Sequence, residues 1–93
     1  MLVFEWDEKK DRSNRRKHGV SFAEAETVFY DPHSLTISDP DHSDDEYRFI
    51  DIGFSIEGRV LVVVYTERGD KIRLISARPA TQAEKRSYER KDK

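Results

Sequence analysis

The side chains able to do chemistry in this 93-residue chain are cations, a histidine beside some of them, a carboxylate and a tyrosine. Arg73 and Arg78 lie in the segment 71–78, KIRLISAR, and His18 ends the run 8–18, EKKDRSNRRKH, which also carries Lys10 and Lys17. Arg48, Tyr65 and Glu67 fall in or beside the strands expected just ahead of Arg73. Guanidinium groups bind phosphate oxygens through two parallel hydrogen bonds. An imidazole exchanges protons near neutrality. Such a set suffices for cleavage of RNA without a metal, because the substrate brings its own nucleophile, the 2′-hydroxyl. The protein then needs a base, an acid and cations for the phosphorane charge. On this reading Lys10, Lys17, Arg48 and Arg73 hold phosphate with Tyr65 beside the RNA, Arg78 stabilises the transition state, and His18 or Glu67 moves protons.

Ordinary roles compete for each of these residues. A histidine just before a C-cap glycine commonly satisfies the last carbonyls and the dipole of its helix. Glu67 can pair with Lys71 across a turn, and strand cations can simply be solvated. On a regular strand Arg73 and Arg78 point to opposite faces, so they serve one site only if Pro79 or a bulge turns Arg78 round.

The elements that must position these groups follow from pattern. The segment 59–78 reads as two antiparallel strands joined at Arg68-Gly69-Asp70. Five aliphatic residues in a row, Val60 to Val64, predict a strand covered on both faces. In the partner strand Ile72 and Leu74 are expected on one face, with Lys71, Arg73, Ile75 and Ala77 on the other. Leu2 to Trp6 reads as a short strand leading to Asp7, the N-cap of a first helix that stops at Gly19. That helix has no aliphatic or aromatic residue, so it must be pinned at its ends by Trp6, Val20 and Phe22, with Lys10, Asn14, Lys17 and His18 on one stripe.

Ser21 and Glu24 form a capping box for a second helix, with Phe22, Ala25, Val28 and Phe29 toward the core and Glu24, Glu26 and Thr27 outward. That acidic outer face argues against a DNA-reading helix-turn-helix. Ser34 to Ser38 and Tyr47 to Ser55 read as strands, and Thr81 with Glu84 starts a last helix from Gln82 to about Arg90. The expected architecture is α+β, with two N-terminal helices and one C-terminal helix on a curved, mainly antiparallel sheet of four to five strands, forming one domain over residues 1–93.

Bulk properties exclude several classes. Absence of cysteine removes disulfide frameworks, zinc ribbons and thiol nucleophiles. No nucleophile elbow or Gly-rich phosphate loop is present. The acidic loop DPDHSDDE departs from the calcium pattern, with Asp44 and Ile50 where glycine and glutamate are required. The amino terminus is neither a signal peptide nor a span, so an intracellular site is expected. The net charge of −2 is segregated. Residues 8–18 hold six Lys/Arg against two acids, residues 31–51 seven acids against Arg48, and residues 59–93 ten Lys/Arg against five acids. Two basic segments can join into one patch if they meet in space.

The run W-D-x-x-K-x-x-x-N-x-x-K-H-G-V-S-F, from Trp6 to Phe22, resembles the BrnT family of toxins. So do Val28-Phe29-x-Asp31-Pro32 and I-S-A-R-x-A-T-x-x-E-x-x-x-Y, from Ile75 to Tyr88. The resemblance implies a RelE-like fold and the toxin half of a type II toxin–antitoxin pair, a cytoplasmic endoribonuclease without metal or cofactor. It further implies a BrnA-like ribbon-helix-helix antitoxin, a heterotetrameric complex, and promoter DNA bound only through that antitoxin. The competing expectation is a non-catalytic module whose cations bind an acidic protein partner, favoured by a pI of about 5.9 and by the lack of an unambiguous general base.

Overall fold

In the computed structural model, which describes residues 1–39 and 47–91, five strands form one sheet in the order β1-β5-β4-β3-β2. The elements run β1 (Val3–Glu5), α1 (Glu8–His18), α2 (Phe22–Ala25) with a 3-10 continuation (Glu26–Tyr30), β2 (Leu35–Ser38), β3 (Phe49–Phe54), β4 (Val60–Arg68), β5 (Lys71–Pro79) and α3 (Gln82–Lys91). Strands β2 to β5 are antiparallel to their neighbours, and β1 joins the edge of β5 in parallel. The expected α+β class, helix count and mainly antiparallel sheet are therefore seen. Most of the acidic loop and the last two residues of the tail lie outside the described residues. No helix of the described residues is long and apolar enough to cross a membrane.

Strand β4 is covered on both sides, as its unbroken aliphatic run requires. Leu61, Val63 and Tyr65 face a core built with Val20, Phe22, Ala25 and Val28 from the helical corner and with Leu74 and Ala77 from β5. Val60 and Val62 face a smaller core with Ile52 and Tyr88, against which Leu35, Ile50 and Ala80 pack.

Two expectations about facing fail. Glu24 is not on the outer surface: it is buried, with its carboxylate accepting from Arg59 Nε and Nη2 at 2.9 and 2.7 Å and from Ser55 Oγ at 2.6 Å. Half of its capping box forms, since the Glu24 N–H donates to Ser21 Oγ at 3.0 Å, while the side chain turns inward to Arg59. Arg59 also donates to the carbonyl of Gly19 at 2.8 Å. One guanidinium thus ties the end of α1, the start of α2 and the β3–β4 turn together. Those hydrogen bonds hold the Glu24 carboxyl below its ordinary range against the opposing effect of burial.

The second correction concerns β5. Val64 pairs with Ser76 but Tyr65 pairs with Leu74, so Ile75 is an extra residue opposite no partner, a β-bulge. Beyond it the alternation reverses: Ala77 joins Leu74 in the larger core instead of lying with Arg73. Val62 is opposite Arg78 and Thr66 opposite Arg73. Because Val62, Val64 and Thr66 alternate onto one side of β4, Arg73, Ser76 and Arg78 share that side too.

Candidate active site

The first helix is polar from end to end, and its stability comes from its termini and two internal side-chain anchors. Asp7 caps it by accepting from the Lys9 N–H at 2.8 Å, Glu8 and Asp11 sit in the first turn, and Arg15, Arg16, Lys17 and His18 sit in the last. Each charge sign thereby opposes the helix dipole. Gly19, at φ 70°, ends the helix in a left-handed cap. The expected anchors at the ends are present, since Trp6 packs edge-on against Phe22 and both Val20 and Phe22 are fully buried. Two more lie inside the helix. Asp11 Oδ1 accepts from the Phe22 N–H at 2.8 Å, and Asn14 is buried against β5.

Asn14 Nδ2 donates to the carbonyls of Val20 and Ala77, both at 2.8 Å, while its Oδ1 accepts from the Ala77 N–H at 3.1 Å. This side chain lays α1 along the part of β5 that β1 leaves uncovered. The result is a cleft of about 260 Å³ with Lys10, Lys17 and His18 on the helical wall and Ile75 and Ser76 on the strand wall. The expected stripe of Lys10, Asn14, Lys17 and His18 is that wall. Among the described residues the Lys10, Lys17 and His18 side chains make no hydrogen bond or ion pair. His18 does not cap its helix; the Gly19 N–H meets the Arg15 carbonyl at 2.9 Å instead.

Ser76 connects this cleft to the face of the sheet that carries Arg73 and Arg78. Arg73 is half-buried and reaches Glu5 at 3.3 Å across the parallel β1–β5 pairing. Arg78 forms a two-pronged pair with Glu84 of α3, both bonds at 2.8 Å. Glu84 in turn accepts from the Thr81 N–H and holds its own N–H on Thr81 Oγ1, a reciprocal capping box. The Arg78 guanidinium pulls the Glu84 carboxyl down from 4.5 to about 2, burial acting in the opposite sense. Arg48 precedes β3 and by alternation belongs to the same face as Ile50 and Ile52, removed from the α1 cleft.

Two candidates fall elsewhere. Tyr65, expected beside RNA, is buried in the larger core between Phe29 and Phe49, with its O–H donating to Asp51 at 3.1 Å. Burial first, then the Asp51 charge, raises its pKa. Glu67 shares the alternation of Tyr65, so it stands on the opposite side of β4 from Arg73 and Arg78. Its partner across the ladder is Ile72, and Lys71 lies opposite Arg68, so the expected Glu67–Lys71 pair does not form. The carboxylate that accompanies the basic face is Glu5, which the sequence reading missed. Its signal was available in the alternation of Leu2 to Trp6, once the pairing of β1 with β5 is known.

Unpaired Lys10, Lys17 and His18 thus share the α1–β5 cleft, and the Arg73–Glu5 pair lies further along β5, side-chain types that phosphodiester chemistry can use. Comparison with known proteins agrees with that chemistry. No curated protein matches the chain. Among solved structures, the 1.1 Å crystal structure of the Brucella abortus ribonuclease toxin BrnT is similar, with a TM-score of 0.64 and 27% identity over 88% of this chain and 100% of that one. The family model for the ribonuclease toxin BrnT of type II toxin–antitoxin systems matches residues 6–84, and the chain belongs to that family of RNA-cutting toxins.

Proposed function

We propose that the chain cleaves RNA without a metal ion, by attack of the substrate's 2′-hydroxyl on the adjacent phosphorus, in the cleft between α1 and β5. The observation that carries this reading is the meeting of the unpaired Lys10, Lys17 and His18 with Ser76 in one cleft. Lys10 and Lys17 hold the phosphate and Arg73 stabilises the charge that develops on it, with Arg48 receiving the strand beyond. His18 transfers a proton, and Glu5, beside Arg73, is the carboxylate suited to the opposite transfer. In this reading Arg78 contributes to the transition state only after leaving Glu84, so its resting role is to seat α3.

The toxin acts in the cytoplasm, where its RNA lies, as one domain over residues 1–93. It is neutralised by a BrnA-like ribbon-helix-helix antitoxin in a heterotetramer, and it meets promoter DNA only through that antitoxin. Incubation of the purified chain with RNA in EDTA tests the chemistry. Fragments with 2′,3′-cyclic phosphate ends are expected, and His18→Ala and Arg73→Ala should each slow cleavage by about 10²-fold or more. Intact RNA in the presence of folded protein, or normal cutting by the His18→Ala/Arg73→Ala double variant, would overturn the reading.

A further inference from the structure

The far end of the sheet, at the β3–β4 turn, exposes large apolar side chains that the RNA chemistry does not use. Tyr30, Phe54 and Ile56 are 62%, 47% and 79% exposed. Together they line an open hollow of about 480 Å³. On the other side of Phe54 a second hollow of about 290 Å³ opens between Val60 and Tyr88, bordered by Arg59, Lys85 and Glu89. Phe54 is the wall common to both, and its ring meets Tyr88 edge-on at 5.6 Å. Monomeric proteins seldom leave such contiguous apolar surface bare without using it for contact.

The groove is preformed. Asp31 Oδ2 accepts from both the Phe54 N–H, at 2.9 Å, and the Tyr88 O–H, at 2.6 Å, and Thr27 Oγ1 accepts from the Ile56 N–H at 2.9 Å. Three elements are thereby fixed to one another beneath the exposed rings. A groove that needs no rearrangement loses little ordering entropy when it is filled. On the α3 side Lys85 and Glu89 border the second hollow, and Lys85 is exposed and pairs with no carboxylate among the described residues.

We propose that this two-part groove is the docking site of the antitoxin, taking an amphipathic segment whose apolar side chains enter the hollows on either side of Phe54 and whose acidic flank meets Lys85. The inference rests on the reading of the chain as an antitoxin-neutralised toxin. Its geometry is that of helix-in-groove recognition, in which a few apolar anchors carry affinity and flanking charges set orientation. None of Lys10, Lys17 and His18 lines either hollow, so holding the antitoxin here is separable from cutting RNA.

The test co-produces the chain with a BrnA-like ribbon-helix-helix antitoxin and measures affinity by titration of the purified proteins. Ile56→Asp and Tyr30→Asp should each weaken binding by at least 50-fold and Lys85→Glu by about 10-fold, with RNA cleavage by the free variants unchanged and growth arrest persisting despite the antitoxin. Circular dichroism verifies that each variant is folded. If Ile56→Asp unfolds, Ile56→Ala with Lys85→Glu decides instead. Affinities within threefold of the parent chain would overturn the proposal. So would a parent chain that is dimeric alone in sedimentation and becomes monomeric on Ile56→Asp, since the occupant would then be a second copy. If the parent chain leaves RNA intact, the ribonuclease reading falls while the affinities still decide the docking site.

Discussion

Asn14 and Ala77 bind each other in both directions, the amide of the side chain donating to the Ala77 carbonyl at 2.8 Å and the Ala77 N–H donating to Asn14 Oδ1 at 3.1 Å. A neighbouring strand would make the same two bonds. Strand β1 covers only Lys71 to Arg73 of the β5 edge, and Asn14 satisfies the backbone where β1 has ended. A helix without apolar residues is thereby fixed to the sheet, and with it the wall that carries Lys10, Lys17 and His18.

Truncating that amide should therefore be costly. Asn14→Ala leaves the buried N–H and C=O of Ala77 and the carbonyl of Val20 without their partner, for a loss of about 3 kcal/mol. Asn14→Asp should cost a similar amount, because a carboxylate cannot donate to either carbonyl. Urea unfolding followed by far-ultraviolet circular dichroism measures both, and a change below about 1 kcal/mol for both would contradict the role assigned here.

Gly53 tests the packing of the other helical segment. A Cβ at this position would lie 3.0 Å from Val28 Cγ1 and 3.1 Å from both Asp31 Oδ2 and Ser34 Cβ. Gly53→Ala should destabilise the chain by about 1–2 kcal/mol through overpacking, and Gly53→Val by more. Thermal melts of the two variants should rank in that order.

The Arg78–Glu84 pair makes an acid-sensitive contribution. Glu84 has a depressed pKa in the folded chain, so its stabilisation is full above its unfolded value near 4.5 and is lost as pH falls toward about 2. Both side chains are partly solvated, and screening limits the pair to about 1 kcal/mol. The melting temperatures of the parent and of Glu84→Gln should differ by a constant amount between about pH 5 and 7 and converge as the pH approaches 2. A gap that widens on acidification would refute the pairing.

Lys10 and Lys17 should each behave as phosphate contacts. With a single-stranded RNA carrying 2′-methoxy groups, which can bind but not react, Lys10→Ala and Lys17→Ala should weaken binding. Each should also lower the slope of log Kd against log salt by about 0.7. Arg15→Ala is a suitable comparison, because Arg15 is already paired with Asp11 at 3.5 Å. Fluorescence anisotropy over a range of salt concentrations reads both quantities.

What the sequence disclosed and what it concealed divide along a physical line. Local chemistry was legible: the Asp7 cap, the Gly19 stop, the Ser21 and Thr81 caps, and the two-sided burial of Val60 to Val64 all depend on neighbours within a few residues. Long-range pairings were not. Glu24 looked like a surface acid because Arg59 lies 35 residues away. Arg78 looked opposed to Arg73 because a bulge is a property of two strands in register, which neither strand announces. Tyr65 and Glu67 were placed near the RNA on the strength of residue type, and alternation along β4 sets them on the side of the larger core. Asn14 could have been singled out as the uncharged amide in a helix dominated by charge.

The extra residue at Ile75 couples the register of β5 to its chemistry. Were Ile75 drawn into the ladder and the bulge smoothed out, every residue beyond it would change faces and the Arg78 guanidinium would swing toward Val20 and Phe22, where burial of an ion is prohibitive. Sliding β5 along β4 is blocked as well, because Ala77 is clasped on both its polar groups two residues past the bulge. Along this stretch the irregularity of the ladder, and not residue type alone, decides which side chains share the toxin's basic face.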